Sequence, residues 1–505
     1  MSGKIAQQSF WASVVNYSGS LIGLFTTFYL FPLVYTESEN GVIGLFIEMG
    51  ALLAGVAQLG TGYSIWKFFP RFKNDSGHNG VGFWLLLIPL LGFILVALVL
   101  LFFHDPIMHY IGRSSNDFEP YYLWLLPFIF FFVYNNVFEV FSASIGSIIW
   151  ASFLRENVVR IFLGIIGWLY FIQFLPFQHS VHLVPAVYAI VAILNLVYIL
   201  RNTQLGFKPN LTFIHQSPGL KSEFAKYTLY LFFTYTANMI VQRLDFVMIS
   251  SMKGFSDTGI YRIAVSMAVL IEIPTRSILQ ISNPKLSEAM HAGNTSEMKR
   301  LYEKTSLNQF VLGALVLLLL WINIDFFYTL MPNGEKYIAG KWALLFLGMG
   351  KLIILMQGNS SAMLTFSHRY YLSLLVNVTA VAVGIFLNNW AIPIWGIEGA
   401  AIATAGTWAA SSTVVVILIW NIFKLTPFSV GLFKSIGLFF GVFILAEIWK
   451  INPQHPLGII LFGLKSFLFF GGSIFVIYRF RLSDDIRSMV EKGLNKISKR
   501  KMGNR

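Results

Sequence analysis

Apolar runs of membrane-spanning length recur along almost the whole chain, separated by short polar stretches. They cover 10–35, 42–66, 83–103, 121–149, 158–175 and 183–200. After a longer polar gap they resume at 227–250, 260–281, 307–330, 342–358, 371–390, 397–420, 430–449 and 457–478. A span needs roughly 20 mostly apolar residues, so the pattern predicts about fourteen transmembrane helices, numbered here in chain order. The bilayer core offers no water to unpaired peptide groups, and a single run can satisfy its own backbone only as a helix. The fold class predicted is therefore an all-α membrane protein. The first run is too long for the apolar stretch of a cleavable signal and has no small-residue cleavage site, so it reads as span one.

Composition agrees. Of 505 residues 56% are hydrophobic and only 12% charged, about half the charged share of a soluble domain. The net charge of +13 does not form one patch; the Lys and Arg lie between the apolar runs. That placement argues against nucleic acid and for contact with anionic membrane lipids. With the N-terminus inside, the loops on the inner side hold twenty-five Lys and Arg, and those on the outer side only Arg113, Lys253, Lys336, Lys341 and Lys450. The positive-inside rule then puts both termini in the cytoplasm.

The gap containing Pro209, Pro218 and Gly219 reads as a linker between two lobes. The expected organisation is a six-helix lobe at 1–200, a cytoplasmic linker at 201–226, a second six-helix lobe at 227–422 and an extra helix pair at 430–478. A basic amphipathic tail follows at 479–505, with Ile486, Met489, Val490, Leu494 and Ile497 at helical spacing. It is either solvated or laid on anionic lipid.

Charge at membrane depth is costly and marks an interior or a watery cavity. The candidates are Glu48, Glu139, Arg243, Asp245, Arg262, Glu272, Arg276, Lys351, Glu447 and Lys465. Spans seven and eight hold half of them. On an ideal span eight, Arg262, Glu272, Arg276 and Gln280 fall within an arc of roughly 80° at 100° per residue, with Pro274 set to bend the helix. That arc reads as the wall of a cationic cavity. In span seven, Asn238 and Asp245 share a face, whereas Arg243 points about 160° away on the same wheel, leaving open which of the two faces the cavity. Two structural pairings compete with substrate contact: Glu272 with Arg276 at i,i+4, and Asp245 with Arg262 across one outer loop. Glu48 is either a cavity residue or a proton-titrating group. Glu139, Lys351, Glu447 and Lys465 read as packing partners or snorkelling side chains.

Enzyme signatures are absent. The His residues are scattered, with no zinc-protease motif, and a metal at His104 and His109 is a weaker reading than a plain loop. No Gly-rich phosphate loop followed by Lys-Ser/Thr occurs, so neither catalysis nor ATP hydrolysis is expected, and nothing calls for a cofactor.

Two stretches carry a resemblance. Gln242-Arg243-Leu244-Asp245, with Asp257-Thr258-Gly259-Ile260-Tyr261-Arg262-Ile263-Ala264 after it, fits R-x-D…G-x-Y-x-x-A. Trp395-Gly396-Ile397-Glu398-Gly399-Ala400-Ala401-Ile402-Ala403-Thr404 fits G-x-x-G-A-A-x-A-T. Phe31-Pro32-Leu33 with Gly41, and Lys67-Phe68-Phe69-Pro70-Arg71-Phe72, add to them. The chain resembles bacterial polysaccharide-biosynthesis flippases, the O-antigen and capsule repeat-unit translocases of the multidrug/oligosaccharidyl-lipid/polysaccharide exporter superfamily. The resemblance implies two six-helix lobes in a V shape, alternating access to a cationic cavity, and a place in the bacterial inner membrane. It also implies an undecaprenyl-pyrophosphate-linked oligosaccharide as substrate and a polysaccharide polymerase as partner. Arg262, Arg276 and Arg243 are then the cations for the diphosphate, because a guanidinium can engage phosphate through two parallel donors.

Three readings compete. A cation-coupled drug exporter of the same fold would have twelve spans and acidic cavity residues. A lipid II flippase would carry cations in span one, where this chain has no charged residue. A membrane glycosyltransferase would have a larger outer loop than 104–120.

Overall fold

The computed structural model describes residues 2–62, 64, 80–111, 115–145, 148–203, 206, 208, 220–451, 457–480 and 491. Pro209, Pro218 and Gly219 of the expected linker, the stretch Lys67 to Phe72, and the five apolar positions of the tail lie outside them. The described residues are helical, with no strand among them.

Among the described residues eleven helices are long and apolar enough to cross a membrane, and three local features account for the difference from fourteen. Span five, helical from Ile148 through a π turn at Leu154–Val158 to Phe171, carries Arg155, Glu156 and Arg160 among its apolar positions. Span seven, Leu220–Met252, is 33 residues long but carries Arg243, Asp245, Asn238 and Gln242 among its apolar positions. Spans eleven and twelve run together as Leu372–Phe423, 52 residues. A straight helix of that length would reach roughly 78 Å at 1.5 Å per residue, against a hydrocarbon core of about 30 Å.

The long helix folds back at Gly396, whose φ of 59° and ψ of −130° suit a residue without Cβ. Gly399 permits the return: a Cβ there would stand 2.1 Å from the carbonyl oxygen of Ala391. Further along, Gly406 comes against Leu387, so the two halves run back along one another. The G-x-x-G-A-A stretch is thus the hinge of a hairpin, with Ala400 and Ala401 fully buried behind it.

The chain divides into two compact units, Met1–Arg262 and Ile263–Arg505. Span two, Glu37–Ala57, is the centre of the first. A capping box starts it: Thr36 Oγ1 accepts from Glu39 N at 3.2 Å, and Glu39 Oε2 accepts from Thr36 N at 2.9 Å. Leu45 and Phe46 are wholly buried, with the Phe128 ring tilted against Phe46 at 5.3 Å. Lipid removes the hydrophobic drive between helices, so close approach of small residues must do the joining. Gly41 and Gly259 supply it: a Cβ on Gly41 would meet the Phe255 carbonyl oxygen at 1.9 Å, and one on Gly259 the Glu37 carbonyl oxygen at 2.0 Å.

In the second unit the 36-residue helix Thr295–Leu330 is the post. Asn294 caps it, accepting from Glu297 N at 3.1 Å. Arg300 grips the Glu297 carboxylate through two donors at 2.6 and 2.7 Å, and that hydrogen bonding holds the carboxyl below its usual range. The extra pair, Val430–Ile448 and Gly458–Arg479, docks on this post. Trp321 stacks on Phe443 and donates Nε1 to Glu447, Phe326 stacks on Phe462 at 5.1 Å, and Ser466 donates to Asn323 at 2.9 Å.

Candidate functional site

Asn40, Gly44 and Glu48 succeed one another at single-turn spacing along span two, and two of the three candidate cations sit on them. Arg243 Nη1 donates to Glu48 Oε2. Arg262 Nη1 donates to the Asn40 side-chain oxygen at 2.8 Å and its carbonyl at 3.2 Å, with the guanidinium over the Phe31 ring at 5.4 Å. Gly44 leaves the room for that side chain, since a Cβ there would come 3.1 Å from Arg262 Cδ. Asp245, 4% exposed, accepts from Tyr261 Oη at 2.6 Å and from Phe246 N at 2.9 Å. Arg243 and Asp245, opposed on the helical wheel, thus both find partners in the first unit. The R-x-D…G-x-Y stretch is a packing device here: Asp245 with Tyr261, Gly259 against Glu37. Asn238 accepts from Gln242 one turn on, at 2.6 Å.

Span eight departs from the ideal wheel. It is helical over Phe255–Val269, tightens to a 3₁₀ turn at Leu270–Glu272, and restarts at Ile273 with Pro274 in its first turn. Proline has no N–H to give and crowds the carbonyl four residues back. The turn breaks the single polar arc drawn through Arg262, Glu272, Arg276 and Gln280. Arg262 belongs to the first compact unit and the other three to the second.

Glu272, at the break, pairs with Lys351 at 2.9 Å, and Lys351 Nζ lies over the Trp408 ring at 4.2 Å. The i,i+4 partner foreseen for Glu272 was Arg276; among the described residues Arg276 enters no ion pair. It lines a cavity of about 510 Å³ in the second unit, together with Thr275, Asn283, Gln309, Gln357 and Asn359. Gln280 is exposed and does not line it. Asn359 fixes the cavity wall, donating to Ser282 Oγ at 3.0 Å and to Asn283 Oδ1 at 3.1 Å. Gln309 is 2% exposed, and its Nε2 meets no acceptor; Gln357 Oε1 likewise meets no donor.

Sequence reasoning passed over Asn40, Gln309 and Gln357. Asn40 falls two residues before the apolar run that defined span two. The two glutamines are uncharged, and a search for buried charge is blind to them. Outside the spans, His104 Nδ1 lies 2.8 Å from Asp105 Oδ1 and Nε2 3.0 Å from Glu119 Oε1. These carboxylates, Asp105 foremost, raise its pKa.

No protein-family model matches this sequence, and no curated protein matches it. Solved structures do. The lipid II flippase MurJ in an inward closed conformation superposes with a TM-score of 0.71 at 14% identity, over 93% of this chain and 98% of that one. The fold is the one MurJ has. A multidrug-resistance MATE transporter of the MOP superfamily, inward-facing, gives 0.62 at 15% identity, over 82% and 98%. An outward-facing MATE structure gives 0.56 at 16%, over 82% and 95%.

Proposed function

We propose that this chain is a flippase that carries an undecaprenyl-pyrophosphate-linked oligosaccharide from the cytoplasmic to the outer leaflet by alternating access. The observation that carries the reading is Arg276, an arginine without an ion pair among the described residues, lining a cavity of about 510 Å³ in a helical unit. A lipid diphosphate entering low dielectric needs compensating charge, and an uncommitted guanidinium supplies it with two donors. Arg262 and Arg243 remain candidates for the same task, each having first to leave Asn40 or Glu48.

An exporter of organic cations needs the opposite, an uncommitted carboxylate. Glu272 is taken by Lys351, Glu48 by Arg243, and Asp245 by Tyr261. The likeness to MurJ runs over 93% of the chain and that to the MATE transporters over 82%, which also favours a lipid-linked cargo. On this reading the chain lies in a bacterial inner membrane with both termini cytoplasmic and a polysaccharide polymerase as partner; the excess of Lys and Arg in alternate loops supports the orientation.

The test is complementation of a strain lacking its repeat-unit flippase. Wild type restores surface polysaccharide, and Arg276→Ala does not, at equal protein level. Restoration by Arg276→Ala, or drug efflux without restoration by wild type, overturns the reading.

A further inference from the structure

The cavity around Arg276 brings four amide side chains, those of Asn283, Gln309, Gln357 and Asn359, beside the guanidinium, and a diphosphate does not require them. Two of them are incomplete in complementary ways. Gln309, 2% exposed, has a donor with nothing to donate to, and Gln357 has an acceptor with nothing to accept. A buried polar group left unmade costs about 1–3 kcal/mol, and two such groups in one cavity point to a ligand that completes both. The side-chain amide of Asn359 is already committed to Ser282 and Asn283, so it shapes the wall and leaves the reading to the two glutamines.

What completes one donor and one acceptor together is a secondary amide, which offers a C=O and an N–H. We propose that this cavity binds an acetamido sugar, with Gln309 Nε2 donating to the acetyl carbonyl and Gln357 Oε1 accepting the amide N–H. The remaining polar wall, Thr275 and Asn283, suits ring hydroxyls. Phe366, 42% exposed at the cavity, offers an aromatic face to the C–H side of a pyranose. About 510 Å³ falls within the range of small-ligand sites, roughly 300–1,000 Å³. Charge is not what selects this part of the ligand: Glu272 is neutralised by Lys351, and Arg276 is left for the phosphate. The inference rests on the flippase reading for how such a sugar reaches the cavity, and sharpens it by naming a sugar class.

The test uses the full chain in lipid nanodiscs and two uncharged probes. Chitobiose carries an acetamido group on each ring; cellobiose has the same linkage with hydroxyls in their place. Titration followed by saturation-transfer NMR is expected to show saturable chitobiose binding, at least tenfold tighter than cellobiose. Gln309→Met and Gln357→Met, each near-isosteric, are expected to weaken chitobiose about tenfold and close the gap to cellobiose, with the unfolding temperature unchanged. Gln357 is only half-buried, so its variant carries the test if the Gln309 variant fails to fold. Equal binding of the two sugars, no saturation by chitobiose, or folded glutamine variants with unchanged binding overturns the proposal. Chitobiose selectivity without movement of a lipid-linked oligosaccharide in proteoliposomes overturns the flippase reading alone. Movement without selectivity overturns this inference alone.

Discussion

Two regions hold the membrane-depth charge of spans seven and eight, and they treat it differently. In the first unit, Arg243, Asp245 and Arg262 are each tied to a named partner, and glycines 41, 44 and 259 bring the helices close enough for those ties to form. In the second unit, Glu272 and Lys351 neutralise each other, while Arg276, Gln309 and Gln357 face open volume. The same residue type is a clamp in one place and a candidate ligand site in the other. Depth in the membrane does not separate the two; commitment to a protein partner does.

The largest effect expected is on transport. Arg276→Ala should abolish complementation with protein yield unchanged, and Arg276→Lys should retain part of it, because Lys keeps the charge and loses the fork. Immunoblots beside polysaccharide staining separate the two quantities. A variant that fails through low yield would put Arg276 among the clamps.

Next comes the seam on span two. Arg243→Ala leaves Glu48 uncompensated in a half-buried site and should cost about 3 kcal/mol, near the lower end for a broken buried pair. Glu48→Gln with Arg243→Gln should cost clearly less than the sum of the two singles, as coupled partners do. Thermal unfolding in detergent reads both, and strict additivity would show that the pair does not act as one unit. Gly259→Ala should lower the unfolding temperature by driving span eight off span two, since its Cβ would meet the Glu37 carbonyl oxygen at 2.0 Å.

The smallest effect belongs to the exposed cluster at His104. His104 has its pKa raised by Asp105 and Glu119. A raised folded-state pKa means stability that is full below the unfolded value, about 6.5, and lost as pH rises through the folded one. His104→Gln should therefore destabilise at pH 5.5 by at most about 1 kcal/mol, the scale of exposed ion pairs, and have no effect at pH 9. A difference that does not change between those pH values would remove the charged clamp.

The fold could be read almost entirely from apolar run length, because lipid imposes one backbone solution on any long run. Leu372–Phe423, helical on both sides of the break at Gly396, reads as two spans in the sequence, with Pro393, Trp395 and Gly396 between the apolar runs. The site was legible only in part. Charge at depth drew attention to Arg243, Asp245, Arg262, Glu272 and Arg276, yet partners are set by tertiary approach. Glu272 meets Lys351, some eighty residues away in sequence, and not Arg276 one turn on. The wheel failed where its premise failed, at the 3₁₀ turn before Pro274. Gln309 and Gln357 carried no signal, because an amide in an apolar run is neither costly enough nor rare enough to stand out.

The hairpin at Gly396 has a consequence for how the protein is made. With Ala391 and Gly399 in contact across the turn, almost no chain is left over to serve as a loop between spans eleven and twelve. Such a pair is expected to enter the bilayer together during synthesis, the first span held until the second has emerged from the ribosome. An epitope tag spliced between Trp395 and Ile397 would tax insertion itself, and the loss would appear as degraded nascent chain instead of a slower transporter.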